Sequence, residues 1–132
     1  MYLNKTNGSS YNFVAPSIEE DAGKHIQAVF PTFDDIAVTL SSNAGSADIK
    51  RTTSLVSLGS GNLAAATTLT ATPDSKLPKG AIMYVKFQCG STKYDVTVKK
   101  NATDSGVTIV GVASSTVCKS LLWDGTNWVI MG

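Results

Sequence analysis

The sequence is poor in charged side chains and in the residues that usually carry enzyme chemistry. Of its 132 residues, only 16% are Asp, Glu, Lys or Arg, below the roughly 25% usual for soluble domains. It contains one histidine and two cysteines, and its formal net charge is +1. A chain that bound nucleic acid through the phosphates would be more basic, so we expect no nucleic-acid partner.

Long apolar runs are also missing. No run reaches the roughly 18 apolar residues of a membrane-spanning helix, and the residues after Met1 (Tyr-Leu-Asn-Lys) do not begin a signal peptide. We therefore expect a chain made in the cytoplasm without membrane contact. In that reducing compartment Cys89 and Cys118 are interpreted as two buried thiols, with a disulfide as the alternative.

Catalytic and metal-binding patterns are absent as well. His25 is the only histidine, and no nucleophile motif surrounds any serine. Cys89, Cys118 and His25 do not have metal-ligand spacing. Gly59-Ser60-Gly61 lacks the Lys-Ser/Thr that completes a phosphate-binding loop. We expect no catalytic residue, no metal and no cofactor, and hence no enzyme.

The aspartates do not form the carboxylate pair that glycoside cleavage requires. Asp34 and Asp35 are adjacent, so in a strand their side chains would point to opposite faces. The others fall mainly at turns, where Asp is favoured for backbone reasons; they are Asp74, Asp95, Asp104 and Asp124.

The first 54 residues are predicted to form an attachment segment. Residues 1–16 are interpreted as an extended arm, and Ser17 with Glu20 forms a capping box that predicts a short helix up to Phe30. A strand over Ile26–Phe30 is the alternative. Ser41–Asp48 is interpreted as a linker or long loop. The apolar residues expected to dock on another protein are Tyr2, Leu3, Tyr11, Phe13, Ile18, Ile26 and Phe30.

From residue 55 to residue 132 the pattern is that of β-strands separated by turns. Over Ala81–Cys89 the apolar residues alternate, so that Met83, Val85 and Phe87 share one face. No helical pattern lies between the strands, which argues against parallel βαβ units. The predicted fold is mainly β: an antiparallel sandwich or barrel-like domain preceded by the arm and the short helix.

Several of these strands are apolar on both faces. In the stretch from Val107 to Val112, Val110 and Val112 point away from Val107 and Ile109. A small sandwich leaves one face of each sheet in water, so a two-sided strand needs a second cover. Another subunit is one candidate for this cover and the N-terminal helix is the other. We expect a homo-oligomer.

The chain ends in a predicted hairpin. Asp124-Gly125-Thr126-Asn127 is a turn sequence, and it would place Trp123 opposite Trp128. Exposed aromatics on a β-scaffold can stack on sugars, but core or interface packing is the alternative for each of them; the candidates are Tyr84, Tyr94, Trp123 and Trp128. The residues expected at an oligomer interface or binding surface are Val110, Val112, Trp123, Trp128 and Ile130.

The closing module resembles the C-terminal β-domains of tailed-bacteriophage virion proteins. The features are the strand sequences 80–85, 94–98 and 106–109 and the terminal hairpin Leu122–Trp128. The resemblance implies a non-enzymatic virion protein, commonly trimeric, that contacts the major capsid protein or another virion protein. We expect capsid decoration or a head fibre. The alternative is a tail-fibre receptor-binding or carbohydrate-binding module with a host-surface glycan as ligand.

Overall fold

The structure, a computed structural model, describes residues 33–132. The predicted arm, the helix with its alternative strand, and His25 lie outside the described residues. The expected attachment residues do too, namely Tyr2, Leu3, Tyr11, Phe13, Ile18, Ile26 and Phe30.

Every regular element in the described range is a β-strand, which confirms the mainly-β fold class. The nine strands are β1 (Asp34–Val38), β2 (Ala44–Ile49), β3 (Thr53–Asn62), β4 (Thr67–Pro73), β5 (Ile82–Gln88), β6 (Val96–Lys99), β7 (Val107–Ile109), β8 (Thr116–Trp123) and β9 (Trp128–Ile130).

Successive strands alternate between two sheets. The five-stranded sheet has the order β1-β3-β5-β8-β9, and the four-stranded sheet has the order β2-β4-β6-β7. The chain therefore winds through three coils, β1–β2, β3–β4 and β5–β6, each placing one strand in each sheet. Strands β7, β8 and β9 then close the two sheets.

The prediction of an antiparallel fold is wrong, because β1, β3 and β5 pair in parallel and so do β2, β4 and β6. Parallel neighbours need a crossover of about a dozen residues or more, and here a strand of the opposite sheet supplies it instead of a helix. Leu55 pairs with Tyr84 and Thr67 with Val96, both 29 residues further along the chain. Only the pairings of β5–β8, β6–β7 and β8–β9 are antiparallel.

The predicted linker over Ser41–Asp48 is also wrong, since most of it is β2. A two-residue turn at Ser42 and Asn43, with φ of 52° and 60°, brings the chain into this strand. The side chains of β2 are small, so its sequence carries a weak strand signal, and pairing with β4 decides its conformation. The compact unit spans Phe33–Gly132, so strands β1 and β2 belong to the same unit as the strands after residue 55.

One apolar core lies between the two sheets. The alternation predicted for β5 is confirmed: Met83, Val85 and Phe87 are buried, whereas Ile82 and Tyr84 are exposed. The opposite wall comes mainly from β2, β4, β6 and β7, whose buried apolar residues are Ala47, Ile49, Leu69, Ala71, Val96, Val98 and Ile109.

The predicted C-terminal hairpin is confirmed. Trp123 and Trp128 are paired across β8 and β9, and their ring centroids lie 5.2 Å apart with the planes inclined at 57°. The indole Nε1 of Trp128 donates a buried hydrogen bond of 2.9 Å to the carbonyl oxygen of Ala71 in β4. One side chain of the short strand β9 is therefore tied to the opposite sheet.

Candidate functional site

We call residues 33–132 the β-unit. Several of its aspartates hold loops together by accepting hydrogen bonds from backbone N–H groups. Asp95 Oδ1 accepts a hydrogen bond from the Gly111 backbone N–H at 2.9 Å. Asp104 Oδ2 accepts one from the Lys100 N–H at 3.0 Å, and this bond is the main reason that the pKa of Asp104 lies below its ordinary value. Among residues 33–132, no group of three or more His, Cys, Asp or Glu side chains is placed to bind a metal.

The loop of the closing hairpin is fixed in the same way. Asp124 Oδ1 accepts the backbone N–H groups of Asn127 at 2.6 Å and Thr126 at 2.8 Å, which lowers the pKa of Asp124. Lys100 Nζ donates to the Thr126 carbonyl oxygen and to Asn127 Oδ1, both at 2.8 Å. The loop is thus braced against the turn that follows β6.

The two tryptophans are not available for stacking on a surface ligand. Trp123 is 9% exposed and Trp128 is 2% exposed, so both side chains pack in the core of this unit, which is one of the two interpretations that the sequence leaves open. Tyr94 is half-buried, while Tyr84 is 47% exposed on β5. Of the four aromatic candidates, Tyr84 is the one whose ring lies open to a ligand.

The predicted interface valines and Ile130 come together. Val110 and Val112 are 56% and 52% exposed, and with Ile130 they line an apolar groove of about 340 Å³ beside β7, β8 and β9. The charged side chain in the groove is Lys119, whose Nζ donates to the Gly132 carbonyl oxygen at 3.0 Å.

A second apolar patch lies on the outer face of the five-stranded sheet, next to this groove along β9. Ile82 pairs with Leu122, and Leu122 pairs with Val129, so these three side chains form a row across β5, β8 and β9. Ile82 and Val129 are 44% and 41% exposed. We call this surface the apolar edge; it consists of Ile82, Val110, Val112, Leu122, Val129 and Ile130.

The opposite ends of the two sheets are different in character. There β1 and β2 are the last strands of their sheets, and their exposed side chains include Asp34, Asp35 and Asp48. Asp34 Oδ2 accepts a hydrogen bond of 2.6 Å from the Thr52 hydroxyl. Charged residues on an edge strand oppose pairing with another chain. We call this surface the acidic edge.

A polar recess interrupts the outer face between β3 and β5. Ser57 pairs with Lys86 and Asn62 with Gln88, so four residues of β3 face the single residue Phe87 of β5. The resulting bulge opens a recess of about 240 Å³. Its polar side chains are Ser57, Ser60, Lys86, Gln88 and Thr116.

This recess is not among the sites predicted from the sequence. Gly59-Ser60-Gly61 does not match a phosphate-binding loop, but glycine inside a strand pattern also indicates a bulge. Gly59 has a φ of 68°, a conformation that favours glycine. Gly59 and Gly61 are therefore the feature of the sequence that indicates the bulge in β3.

The two cysteines are both free thiols. Cys89 is buried, as predicted, and its thiol lies 3.5 Å from the Tyr94 carbonyl oxygen, which it contacts as a weak donor. Cys118 is exposed on β8, so the interpretation of two buried thiols is wrong for this residue, and the alternative disulfide is not formed.

No protein-family model, curated protein or solved structure matches this chain. Within residues 33–132, no helix is long and apolar enough to cross a membrane.

Proposed function

We propose that this chain is a non-enzymatic structural protein of a tailed-phage virion. In this proposal it decorates the capsid exterior as an auxiliary capsid or head-fibre protein and assembles as a homotrimer through the apolar edge. The contact on the virion is the major capsid protein or a neighbouring virion protein, reached through the segment before the β-unit.

The apolar edge is the observation that carries the proposal. Monomeric soluble proteins rarely expose large contiguous apolar surfaces, and here half-exposed Val110 and Val112 lie beside a groove whose one lysine is engaged within the chain. Edge strands β7 and β9 also present unpaired backbone groups there. Such a surface favours burial against neighbouring copies of this chain in a closed ring, which for a trimer has heterologous contacts.

Two further observations support a structural role. The closing hairpin on which the resemblance to virion proteins depends is formed, with its loop braced by Asp124 and Lys100. Asp95, Asp104 and Asp124 accept backbone hydrogen bonds in loops, which gives each of these carboxylates a structural task.

Two measurements test the proposal. Sedimentation equilibrium of the full chain should give about three times the 13.8 kDa of one chain. The chain should also co-sediment with capsids of its parent phage that were assembled without it. A monomer at micromolar concentration would overturn the trimer, and a trimer that leaves such capsids bare would overturn decoration and favour the tail-fibre alternative.

A further inference from the structure

We infer that the polar recess between β3 and β5 binds one acidic sugar residue, with Tyr84 stacking beside it. The recess itself shares no residue with the apolar edge, and Tyr84 lies beside Ile82 of that edge on the same face of β5. Ligand binding requires neither the trimer nor attachment to a capsid.

The recess gathers hydrogen-bonding side chains on one face of the sheet. Ser57 pairs with Lys86, and Gln88 pairs with Thr116, so all four side chains lie on the solvent side of the five-stranded sheet. Leu58 and Phe87, both 2% exposed, line the recess from the core side. The surface that lines the recess is therefore mainly polar, which suits a hydrophilic ligand held by hydrogen bonds.

Within residues 33–132 the polar side chains of the recess have no hydrogen-bond partner. Among the described residues, no hydrogen bond joins the side chains of Ser57, Lys86, Gln88 or Thr116 to another residue. Hydroxyl and amide groups both donate and accept hydrogen bonds, which matches the repeated hydroxyls of a sugar. The one charged side chain of the recess, Lys86, provides three N–H donors for a carboxylate.

Tyr84 supplies the apolar half of the site. It precedes Lys86 by two positions on β5, so both side chains point to the same face. Its ring is 47% exposed, and an aromatic ring with an apolar face and a polar tip suits the C–H face of a sugar. The row that contains it, Leu55–Tyr84–Ser120, lies directly beside the row of Ser57 and Lys86.

The size of the recess limits the ligand. Its volume of about 240 Å³ lies below the roughly 300–1,000 Å³ of sites that enclose drug-sized molecules. It therefore fits a single sugar ring, such as one uronic or sialic acid unit of a surface polysaccharide, and not a longer stretch of chain.

Gly61 offers a direct way to block the recess. A Cβ atom at this position would meet no heavy atom within 4 Å, and Gly61 does not have a positive φ. Because Gly61 lines the recess, Gly61→Leu adds an apolar side chain at its border without a clash at the Cβ atom, and is used to obstruct the site. Lys86→Gln removes the charge and keeps hydrogen-bonding capacity, and Lys93→Gln, at an exposed position away from the recess, is its matched control.

The test is a titration of the full chain followed by amide NMR shifts, with glucuronic, galacturonic and N-acetylneuraminic acids, glucose and inorganic phosphate as probes. We expect at least one sugar acid to bind at millimolar concentration, with shifts confined to residues 57–61, 84–88 and 116. Lys86→Gln and Tyr84→Ala should each weaken binding about tenfold, which corresponds to about 1.4 kcal/mol. Gly61→Leu should abolish binding, and Lys93→Gln should leave it unchanged.

Three outcomes would overturn the inference. The first is that none of the sugar acids shifts these amides. The second is that inorganic phosphate binds as tightly as the sugar acids and that Tyr84→Ala weakens the binding of neither, which would make the recess a general anion site. The third is equal binding of glucose and glucuronic acid, which would remove the role of Lys86.

Discussion

The two edges of this β-unit both end in strands with unpaired backbone groups, but they carry opposite kinds of side chain. Both expose the unpaired backbone groups of end strands, which are templates for pairing with another chain. The acidic edge places Asp35 and Asp48 on those strands, whereas the apolar edge places Val110, Val112 and Val129 beside them. One edge is protected against association and the other is suited to it.

This difference follows from the way the chain winds. Strands β1 and β2 both belong to the first coil. Each is the last strand of its sheet at the acidic edge, and the two carry the same kind of side chain. Strands β7 and β9 are only three residues long; β7 is held by pairing with β6, and β9 by pairing with β8 and by the Trp128 hydrogen bond to β4. Under the proposed assembly a partner adds at the apolar edge only, and four predictions test the difference between the two edges.

The largest effect is expected at Trp128, which holds the apolar edge in place. Trp128→Ala removes a buried indole and its bond to the Ala71 carbonyl, and should lower the free energy of unfolding by about 3–5 kcal/mol. Trp128→Phe keeps most of the packing and should cost about 1–3 kcal/mol, because the carbonyl loses its buried partner. Urea denaturation of both variants provides the measurement, and a Trp128→Phe variant as stable as the wild type would show that the hydrogen bond contributes nothing.

A charge placed on the apolar edge should prevent association. Val112→Lys puts an ammonium group on the surface that the proposed trimer would bury, and should raise the dissociation constant at least tenfold, or about 1.4 kcal/mol. Sedimentation equilibrium gives the constant. Thr72→Lys adds the same charge at an exposed position of β4 and should leave the trimer intact; if both variants dissociate alike, net charge and not the apolar edge governs assembly.

Removing charge from the acidic edge should have the reverse effect, but a smaller one. The double variant Asp35→Val, Asp48→Val deprives β1 and β2 of their protection, and should produce species larger than the trimer in light scattering. Asp74→Val, in the exposed loop after β4, is the control for lost charge. An unchanged mass for the double variant would show that the aspartates do not restrict pairing at this edge.

The smallest effect is a pH dependence at the hairpin loop. Because the N–H groups of Asn127 and Thr126 lower the pKa of Asp124 below its ordinary 3.8, its contribution to stability is present above pH 3.8 and is lost as the pH falls through the lowered pKa. Asp124→Asn should therefore be less stable than the wild type at neutral pH, with the difference vanishing in acid. Thermal unfolding at several pH values, with Asp35→Asn as control, measures it.

The sequence predicts local features well wherever one residue pattern decides them. The alternation from Ile82 to Gln88 required one buried face, and Asp124-Gly125 between two apolar runs required a hairpin. Strand β2 was missed because Ala44, Gly45 and Ser46 have no strand signal of their own; pairing with β4 supplies it. The parallel topology was missed because a crossover made by a strand leaves the same pattern as a hairpin connection.

The candidate surfaces divide in the same way. The exposure of Val110 and Val112 was predictable, since a strand with apolar residues on both faces cannot bury both. The burial of the tryptophans was not, because it depends on which face of β9 meets the opposite sheet. The recess arises from a bulge between strands that are 29 residues apart. No local sequence pattern predicts the pairing of strands over that separation.

The coil also sets the steps in which such a molecule changes its length. Since Leu55–Tyr84 and Thr67–Val96 share a 29-residue offset, a duplicated segment of that size would insert one strand into each sheet and keep every face in register. Neighbouring strands lie about 4.8 Å apart, so the acidic and apolar edges would separate by about that distance. Insertion of a whole coil would therefore change the distance between the acidic edge and the apolar edge and leave both edges unchanged.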